Sequence, residues 1–237
     1  MSAVPGRPKG EDRSEKYEGA PVSAQESALR EAVIQTCRDM TRLGVAKGTS
    51  GNVAVRNGDG FLISPTGVSY DRMQPDQVVQ VYWDGSFDGK YLPSSEWRFH
   101  RDILFHRSEF NAIVHTHSMH ATALSIMGRH IPAIHYRIAA AGGTDIRCAQ
   151  YATFGEQGLS DNALKAIEGR KACLLAHHGV IAADVSLERA LALAVTVEEL
   201  AQQYLLCLPF GEPPVLDDAE IGRVIAKFRN YGQQQTR

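Results

Sequence analysis

The spacing of apolar residues along this chain of 237 residues alternates between the helical and the strand period. From about Ser23, the segment SAQESALREAVIQTCRDMTRLGVAKG has apolar residues at intervals of three and four and ends in Gly44 and Gly48, which predicts an amphipathic helix. The segment NVAVRNGDGFLISPT alternates around a turn at residues 57–60 and predicts a β-hairpin, and VVQVYWDGS predicts a further strand.

The remainder of the chain repeats this change of period. The pattern predicts helices over residues 94–107, 120–127, 160–168 and 187–208. It predicts strands over 111–115, 146–152 and 172–183, the last interrupted by His177, His178 and Gly179. Mixed helices and strands with an antiparallel beginning indicate an α/β sandwich.

Composition narrows the class of protein. With 43% hydrophobic and 22% charged residues, the chain is typical of globular proteins. Residues 1–23 are polar and rich in glycine and proline, so we expect a flexible tail, followed by one domain over residues 24–237. A formal charge of -2 gives no basic surface for nucleic acid.

The cellular compartment is suggested by what the sequence lacks. No signal-like apolar region opens the chain and no uninterrupted apolar run reaches 18 residues, so we expect neither export nor a membrane span. The four cysteines show no CxxC spacing and are interpreted as buried, reduced thiols, which is typical of the cytoplasm.

Histidines and a glutamate form a candidate metal site. His115 and His117 end an apolar strand two residues apart, so their side chains project from the same face. A second apolar strand runs into His177 and His178, and Glu96 begins a predicted helix, in whose first turn a carboxylate also suits the helix dipole. Each signal alone also fits an ordinary structural residue. Three imidazoles and one carboxylate together match zinc or another divalent first-row metal, and a labile carboxylate favours catalysis.

Three short segments rich in glycine and hydroxyl residues predict an anion-binding cradle. They are Gly48-Thr49-Ser50-Gly51-Asn52, Ser64-Pro65-Thr66-Gly67 and Pro93-Ser94-Ser95. Glycine lets backbone approach a ligand, hydroxyls donate hydrogen bonds, and serines at a helix start add free amide donors. Each segment alone is also typical of a turn or a helix cap. Because the last segment directly precedes Glu96, the anion would lie beside the metal.

Several motifs together resemble the class II aldolase/adducin family. They are GTSGNVAVR, LPSSEWRFH, VHTHSMHATALSI, IPAIHYRIAAAGG, YATFG and LLAHHGVIA, and the likeness runs from about Glu31 to Tyr231. The resemblance implies a three-layer α/β/α sandwich with a mainly antiparallel central sheet. It also implies that Glu96, His115, His117 and His178 bind Zn²⁺, or Mn²⁺ or Co²⁺, with His178 chosen over His177 because it directly precedes the glycine.

The resemblance assigns further site residues. It implies that the substrate phosphate is held by Thr49, Ser50, Gly51, Asn52, Thr66, Gly67, Ser94 and Ser95. Glu96 would also carry a proton, Tyr136 would reach the active site of a neighbouring subunit in a homotetramer, and Tyr231 would close on the substrate.

The activity implied is retro-aldol cleavage of a phosphorylated ketose. The products would be dihydroxyacetone phosphate and an aldehyde, and the candidate substrates are L-fuculose, 5-deoxyribulose and 5-methylthioribulose 1-phosphates. These differ at the aldehyde end, where a one-group change in an apolar pocket alters binding by only ~1–3 kcal/mol. A pentulose-phosphate 4-epimerase with the same chemistry and a non-catalytic, adducin-like binding module are the alternatives.

Overall fold

The computed structural model describes residues 23–228, which fold into helices around two sheets. The helices are α1 (Ala24–Arg42), α2 (Trp97–His106), α3 (Met119–Ile126), α4 (Gln157–Ala166), α5 (Leu187–Cys207) and α6 (Asp218–Phe228). The strands are β1 (Asn52–Asn57), β2 (Gly60–Ile63), β3 (Val79–Tyr82), β4 (Ala112–Thr116), β5 (Ile131–Pro132), β6 (Asp145–Ile146), β7 (Cys148–Ala149), β8 (Ala172–Leu175) and β9 (Gly179–Asp184). The predicted tail lies outside the described residues, apart from Ser23, which caps α1.

Seven of the strands form one sheet in the order β3-β2-β1-β4-β9-β8-β7. Only the β7–β8 pair is parallel, so the prediction of a mainly antiparallel sheet is confirmed. β1 and β2 form the predicted hairpin, in which Asn57 pairs with Gly60. β1, β4 and β9 are therefore central neighbours, and the ends of these strands carry the candidate site.

The alternation of side chains along the strands builds two cores. On one face, Val114 of β4 packs in a cluster with α1, α3, α5 and α6. On the other face, Ile113 packs in a cluster with α2 and α4. Two helical layers with a sheet between them are the predicted three-layer α/β/α sandwich. Because His115 and His117 follow Ile113 at intervals of two, they project on the α2 side.

Several predicted boundaries were wrong. Residues 94–96 precede α2 rather than belonging to it, and α4 begins at Gln157 instead of Ser160. The strand predicted over 146–152 is two short strands, β6 and β7, which lie in different sheets. Helix α6 and the 3-10 helix Tyr136–Ala141 were not predicted. The short strands and the 3-10 helix depend on tertiary packing, whereas α6 is a regular helix of 11 residues that the sequence analysis missed.

Helix α5 bears on the expectation that no segment spans a membrane. Among the described residues, the stretch Leu187–Phe210 is long and apolar enough to span a membrane by length and composition. Its buried face, which includes Ala194 and Val197, packs in the core, which marks α5 as a core helix.

All four cysteines are free, but Cys207 is exposed and Cys148 only half-buried, so the prediction of buried thiols holds for the other two.

Candidate metal centre

The four predicted ligands converge at the ends of the central strands. His115 lies on β4 and His117 follows that strand, while His178 lies in the turn between β8 and β9. β4 pairs with β9 from Thr116 and Val180 onwards, which brings the two histidine-bearing ends together. Glu96 is the residue directly before α2, whose helix packs on the same face of the sheet.

Distances within this cluster are those of groups that share one centre. The Nε2 atoms of His115 and His117 are 2.9 Å apart. Glu96 Oε2 lies 3.2 Å from His115 Nε2, and Glu96 Oε1 lies 2.9 Å from His178 Nε2. One ligand atom from each of the four residues lies within 4.8 Å of the others. Each pair of the three imidazole rings has a centroid separation of 4.8 Å.

The donor set fits a divalent cation. Glu96 Oε1 is buried and has no hydrogen-bond partner, although His178 Nε2 is close to it. A carboxylate oxygen and an imidazole nitrogen this close together suit the binding of one cation. Three imidazole nitrogens and a carboxylate oxygen are the donors that a catalytic Zn²⁺ site uses. We therefore assign the cluster as a candidate metal centre.

Backbone contacts hold His115 in the orientation required of a ligand. Its Nδ1–H donates to the carbonyl oxygen of Val180 at 2.8 Å, which leaves Nε2 free to coordinate. Two neighbouring glycines let the adjacent backbone segments approach β4 closely. A Cβ on Gly51 would lie 2.5 Å from the His115 carbonyl oxygen, and one on Gly179 would lie 2.3 Å from that of Thr116. Both positions therefore exclude any larger residue.

Electrostatics favour an ionised Glu96 and a neutral His117. Burial opposes the ionisation of Glu96, but His115 and His178 together hold its pKa well below the usual range. Burial, with His115 and His178 nearby, lowers the pKa of His117 to about 3. Metal ligands must be deprotonated, so these protonation states are those that a cation needs.

A buried network behind the ligands was missed by the sequence analysis. Asn52 Nδ2 donates to Glu96 Oε2 at 2.9 Å, and the Oδ1 atom of the same amide contacts Nε2 of His100. His100 is fully buried, and desolvation lowers its pKa to about 3. It lies four residues after Glu96, a spacing that puts both side chains on one face of α2, and this was the available sequence signal.

The three predicted anion-binding segments lie around the metal centre. Ser64 Oγ accepts the backbone N–H of Val53 at 3.2 Å, which joins the second segment to the residue directly after the first. Pro65 pairs with Pro93, which joins the second segment to the third. Of the predicted phosphate-binding residues, Thr49, Thr66, Gly67 and Ser95 are exposed, Ser50 and Gly51 half-buried, and Asn52 and Ser94 buried.

Two expectations about the start of α2 were wrong. Ser94 was expected to offer a free amide, but its N–H donates to the Ser64 carbonyl at 3.1 Å. The Glu96 N–H donates to Ser94 Oγ and the Trp97 N–H to the Ser94 carbonyl. Glu96 was expected in the first turn, yet it is the N-cap residue and its side chain makes no cap hydrogen bond. Local capping satisfies these amides before any ligand arrives.

Tyr70 supports the first segment and was also missed. Its hydroxyl donates to the carbonyl oxygens of Ser50 and Gly51, at 3.0 and 2.8 Å. The ring is buried beneath the turn. Tyr70 therefore fixes the backbone between the exposed Thr49 and the buried Asn52.

Of the two predicted catalytic tyrosines, Tyr136 lies within the described residues and is not part of the cluster. Tyr136 begins the 3-10 helix Tyr136–Ala141, and its half-exposed ring contacts His135 and Phe228 at centroid distances of 4.6 and 6.3 Å. Tyr231 lies outside the described residues. The assignment of both tyrosines as catalytic therefore stays a prediction.

Comparison with known proteins identifies the family. Residues 31–205 match the model of the class II aldolase and adducin N-terminal domain. This match covers most of the sandwich and all four cluster residues, so the chain belongs to the class II aldolase and adducin N-terminal domain family. The resemblance inferred from the sequence motifs is confirmed.

Individual relatives are more specific. The chain is 52% identical to a 5-methylthioribulose-1-phosphate/5-deoxyribulose-1-phosphate aldolase of Rhodospirillum rubrum over 205 residues, 86% of this chain and 93% of the relative. It is 51% identical to an L-fuculose phosphate aldolase of Escherichia coli over 209 residues, 88% and 97% of the two chains. A solved L-fuculose 1-phosphate aldolase superposes with a TM-score of 0.83 at 37% identity, covering 86% and 97%. These relatives confirm the predicted aldolase class.

Proposed function

We propose that this chain is a metal-dependent aldolase that cleaves a ketose 1-phosphate to dihydroxyacetone phosphate and an aldehyde. The observation that carries the proposal is the cluster of Glu96 and three histidines beside the hydroxyl-rich segments. A divalent cation next to an anion cradle suits a small phosphate ester whose oxygens chelate the metal. The relatives act on ketose 1-phosphates of this kind, which supports the substrate class.

The substrate phosphate binds in the cradle formed by the three segments. Thr49, Thr66 and Ser95 offer exposed hydroxyls around it, and Gly67 has a φ of 70°, which lets its backbone turn towards a ligand. Asn52, already hydrogen-bonded to Glu96, has a second amide hydrogen for a phosphate oxygen. The phosphate thereby places the ketose carbonyl beside the four metal ligands.

The chemistry is a retro-aldol reaction. When bound, a divalent ion supplies Lewis acidity that stabilises negative charge on the ketose oxygens as the bond between carbons three and four breaks. The hydroxyl on carbon four loses its proton as it becomes the aldehyde, and that proton passes to the ionised carboxylate of Glu96. Glu96 then delivers a proton to carbon three and completes dihydroxyacetone phosphate. The low pKa of its carboxyl keeps Glu96 ionised before each turnover.

The remaining residues complete the proposal. Zn²⁺ is the metal that the donor set favours, with Mn²⁺ and Co²⁺ as alternatives. Tyr136 from a neighbouring subunit of a homotetramer exchanges the proton with the aldehyde oxygen, and Tyr231 closes over the substrate. The described residues form one catalytic domain, and the free cysteines fit a cytoplasmic enzyme.

A substrate panel tests the function. Metal-loaded protein is incubated with L-fuculose 1-phosphate, 5-deoxyribulose 1-phosphate, 5-methylthioribulose 1-phosphate and L-ribulose 5-phosphate, and released dihydroxyacetone phosphate is measured. We expect release from at least one ketose 1-phosphate and none after chelation of the metal. Epimerised pentulose phosphate without cleavage would instead identify a 4-epimerase. No reaction with any of the four would favour a binding module.

A further inference from the structure

Packing alone does not explain why position 100 is a histidine. Its side chain is completely buried on α2, one helical turn after Glu96, and its Nδ1 atom has no hydrogen-bond partner. An unsatisfied buried polar atom costs roughly 1–3 kcal/mol, and an apolar residue would avoid that cost. Histidine at this position therefore implies a use for the other ring nitrogen.

The hydrogen-bond network determines what Nε2 does. Asn52 Nδ2 donates to Glu96 Oε2 at 2.9 Å, so the NH2 group of the Asn52 amide faces the carboxylate. The carbonyl oxygen of Asn52 consequently faces His100, and because an oxygen can only accept, His100 Nε2 must carry the hydrogen. The lone pair on Nδ1 remains, which agrees with its missing partner. The chain of donors therefore runs in one direction, from His100 through Asn52 to Glu96.

From this geometry we propose that His100 is a positioning residue that fixes the amide of Asn52 and, through it, the carboxylate of Glu96 at the metal centre. The proposal rests on the proposed function, because it concerns the carboxylate that moves the proton. With the donor of His100 present, the Asn52 amide cannot rotate without placing its NH2 group against Nε2–H. Without that donor, both amide orientations become accessible and Glu96 loses a fixed partner.

The same amide joins the carboxylate to the phosphate cradle. Asn52 is the last residue of the first anion-binding segment and pairs with His115 where β1 meets β4. A substrate phosphate and Glu96 therefore compete for, or share, the two hydrogens of one amide. When the phosphate binds, the hydrogen bond from Asn52 to Glu96 weakens, and the carboxylate can then carry a proton. His100 keeps the amide oriented towards both.

The test measures proton transfer separately from carbon–carbon cleavage. Wild type and His100→Phe are compared for exchange of the carbon-three proton of dihydroxyacetone phosphate in D2O, for kcat and KM, and for bound metal. We expect exchange and kcat to fall by about 10–100-fold, the range seen when partners of metal ligands are removed. KM and metal content at saturating metal should stay within about threefold of wild type. His106→Phe, on the exposed end of the same helix, is the matched control.

Two further comparisons separate positioning from packing. The amide nitrogen of His100→Gln can reach the place of Nε2, whereas that of His100→Asn cannot, so Gln should recover most of the exchange rate. In a double-mutant cycle, His100→Phe should have no further effect once Asn52→Ala is present. If His100→Phe does not fold, the Gln and Asn pair decides.

Several results would overturn the inference. These are wild-type exchange in His100→Phe, equal rates in the Gln and Asn variants, or additive effects with Asn52→Ala. A wild-type protein that neither exchanges the proton nor cleaves any ketose 1-phosphate would instead overturn the proposed function itself.

Discussion

His177 and His178 are adjacent in sequence, but their side chains point in different directions. His177 has a φ of 56°, in the left-handed region that non-glycine residues rarely adopt. Its exposed ring contacts Tyr151 at a centroid distance of 5.9 Å, while His178 turns to Glu96. The two side chains therefore make different contacts: that of His177 with Tyr151, and that of His178 with Glu96.

This difference predicts unequal effects on metal binding. His178→Asn should remove most of the bound metal and the activity, because one of the four donors is lost. His177→Asn should keep both, since asparagine tolerates the left-handed conformation and the ring contributes no donor. Metal content after dialysis, measured by elemental analysis of both variants, checks the prediction. Equal metal loss in the two variants would contradict the assignment.

At the scale of elements, the turn before β1 sets the geometry of the centre. Gly51 has a φ of 90° and lies against the His115 carbonyl, so the residue directly before the first pair of the β1–β4 ladder must lack a Cβ. Gly48, three residues earlier, has a φ of 62° but open space around its Cβ position. The two glycines share the left-handed backbone region and differ in steric clearance.

Substitution of these glycines separates the two effects. Each alanine variant should lose about 1–2 kcal/mol of unfolding free energy from the left-handed conformation. Gly51→Ala should lose about 1–3 kcal/mol more through overpacking and should also bind metal more weakly, since β4 must shift. Urea unfolding of the metal-free proteins and metal titration measure both quantities. If Gly48→Ala loses as much unfolding free energy and metal affinity as Gly51→Ala, the steric contact of a Cβ at position 51 is not the cause.

On the scale of the whole molecule, apolar surface lies on one side of the centre. A cavity of about 210 Å³ lies between the turn after α1 and helix α3, and its lining includes Lys47, His117 and Met119. Met119, Ile126, Met127 and Leu43 are exposed. Contiguous apolar surface of this kind is typical of an interface, and it supports the proposal that a second copy covers the site.

Subunit mixing tests whether Tyr136 acts on a neighbour. Tyr136→Ala and His178→Asn are each expected to be inactive as homo-oligomers. If Tyr136 serves an adjacent subunit of a ring, random mixing after dissociation should restore about a quarter of wild-type activity, because half the subunits bind metal and half of those face an intact tyrosine. Activity of the reassembled mixture is the measurement. No recovery would place Tyr136 within its own subunit, and a fully active Tyr136→Ala homo-oligomer would place it outside catalysis.

Much of the fold and of the metal site could be predicted from the sequence. Apolar periodicity located α1, the β1–β2 hairpin and α5, because it depends on neighbouring residues alone. The period of two identified His115 and His117 as a pair on one face. Short strands such as β6 and β7 were not recovered as they are, because their pairing depends on partners elsewhere in the chain.

What the sequence determined by itself was the family, the order of the main elements and the types of metal donor. Only the tertiary structure decided which groups meet: Asn52 contacts Glu96 across 44 residues and His100 across 48. It also paired the Ser94 amide with Ser64 and left it unavailable to a ligand. Local patterns encode periodicity, whereas such contacts depend on sheet register and helix packing, to which residues distant in sequence contribute together.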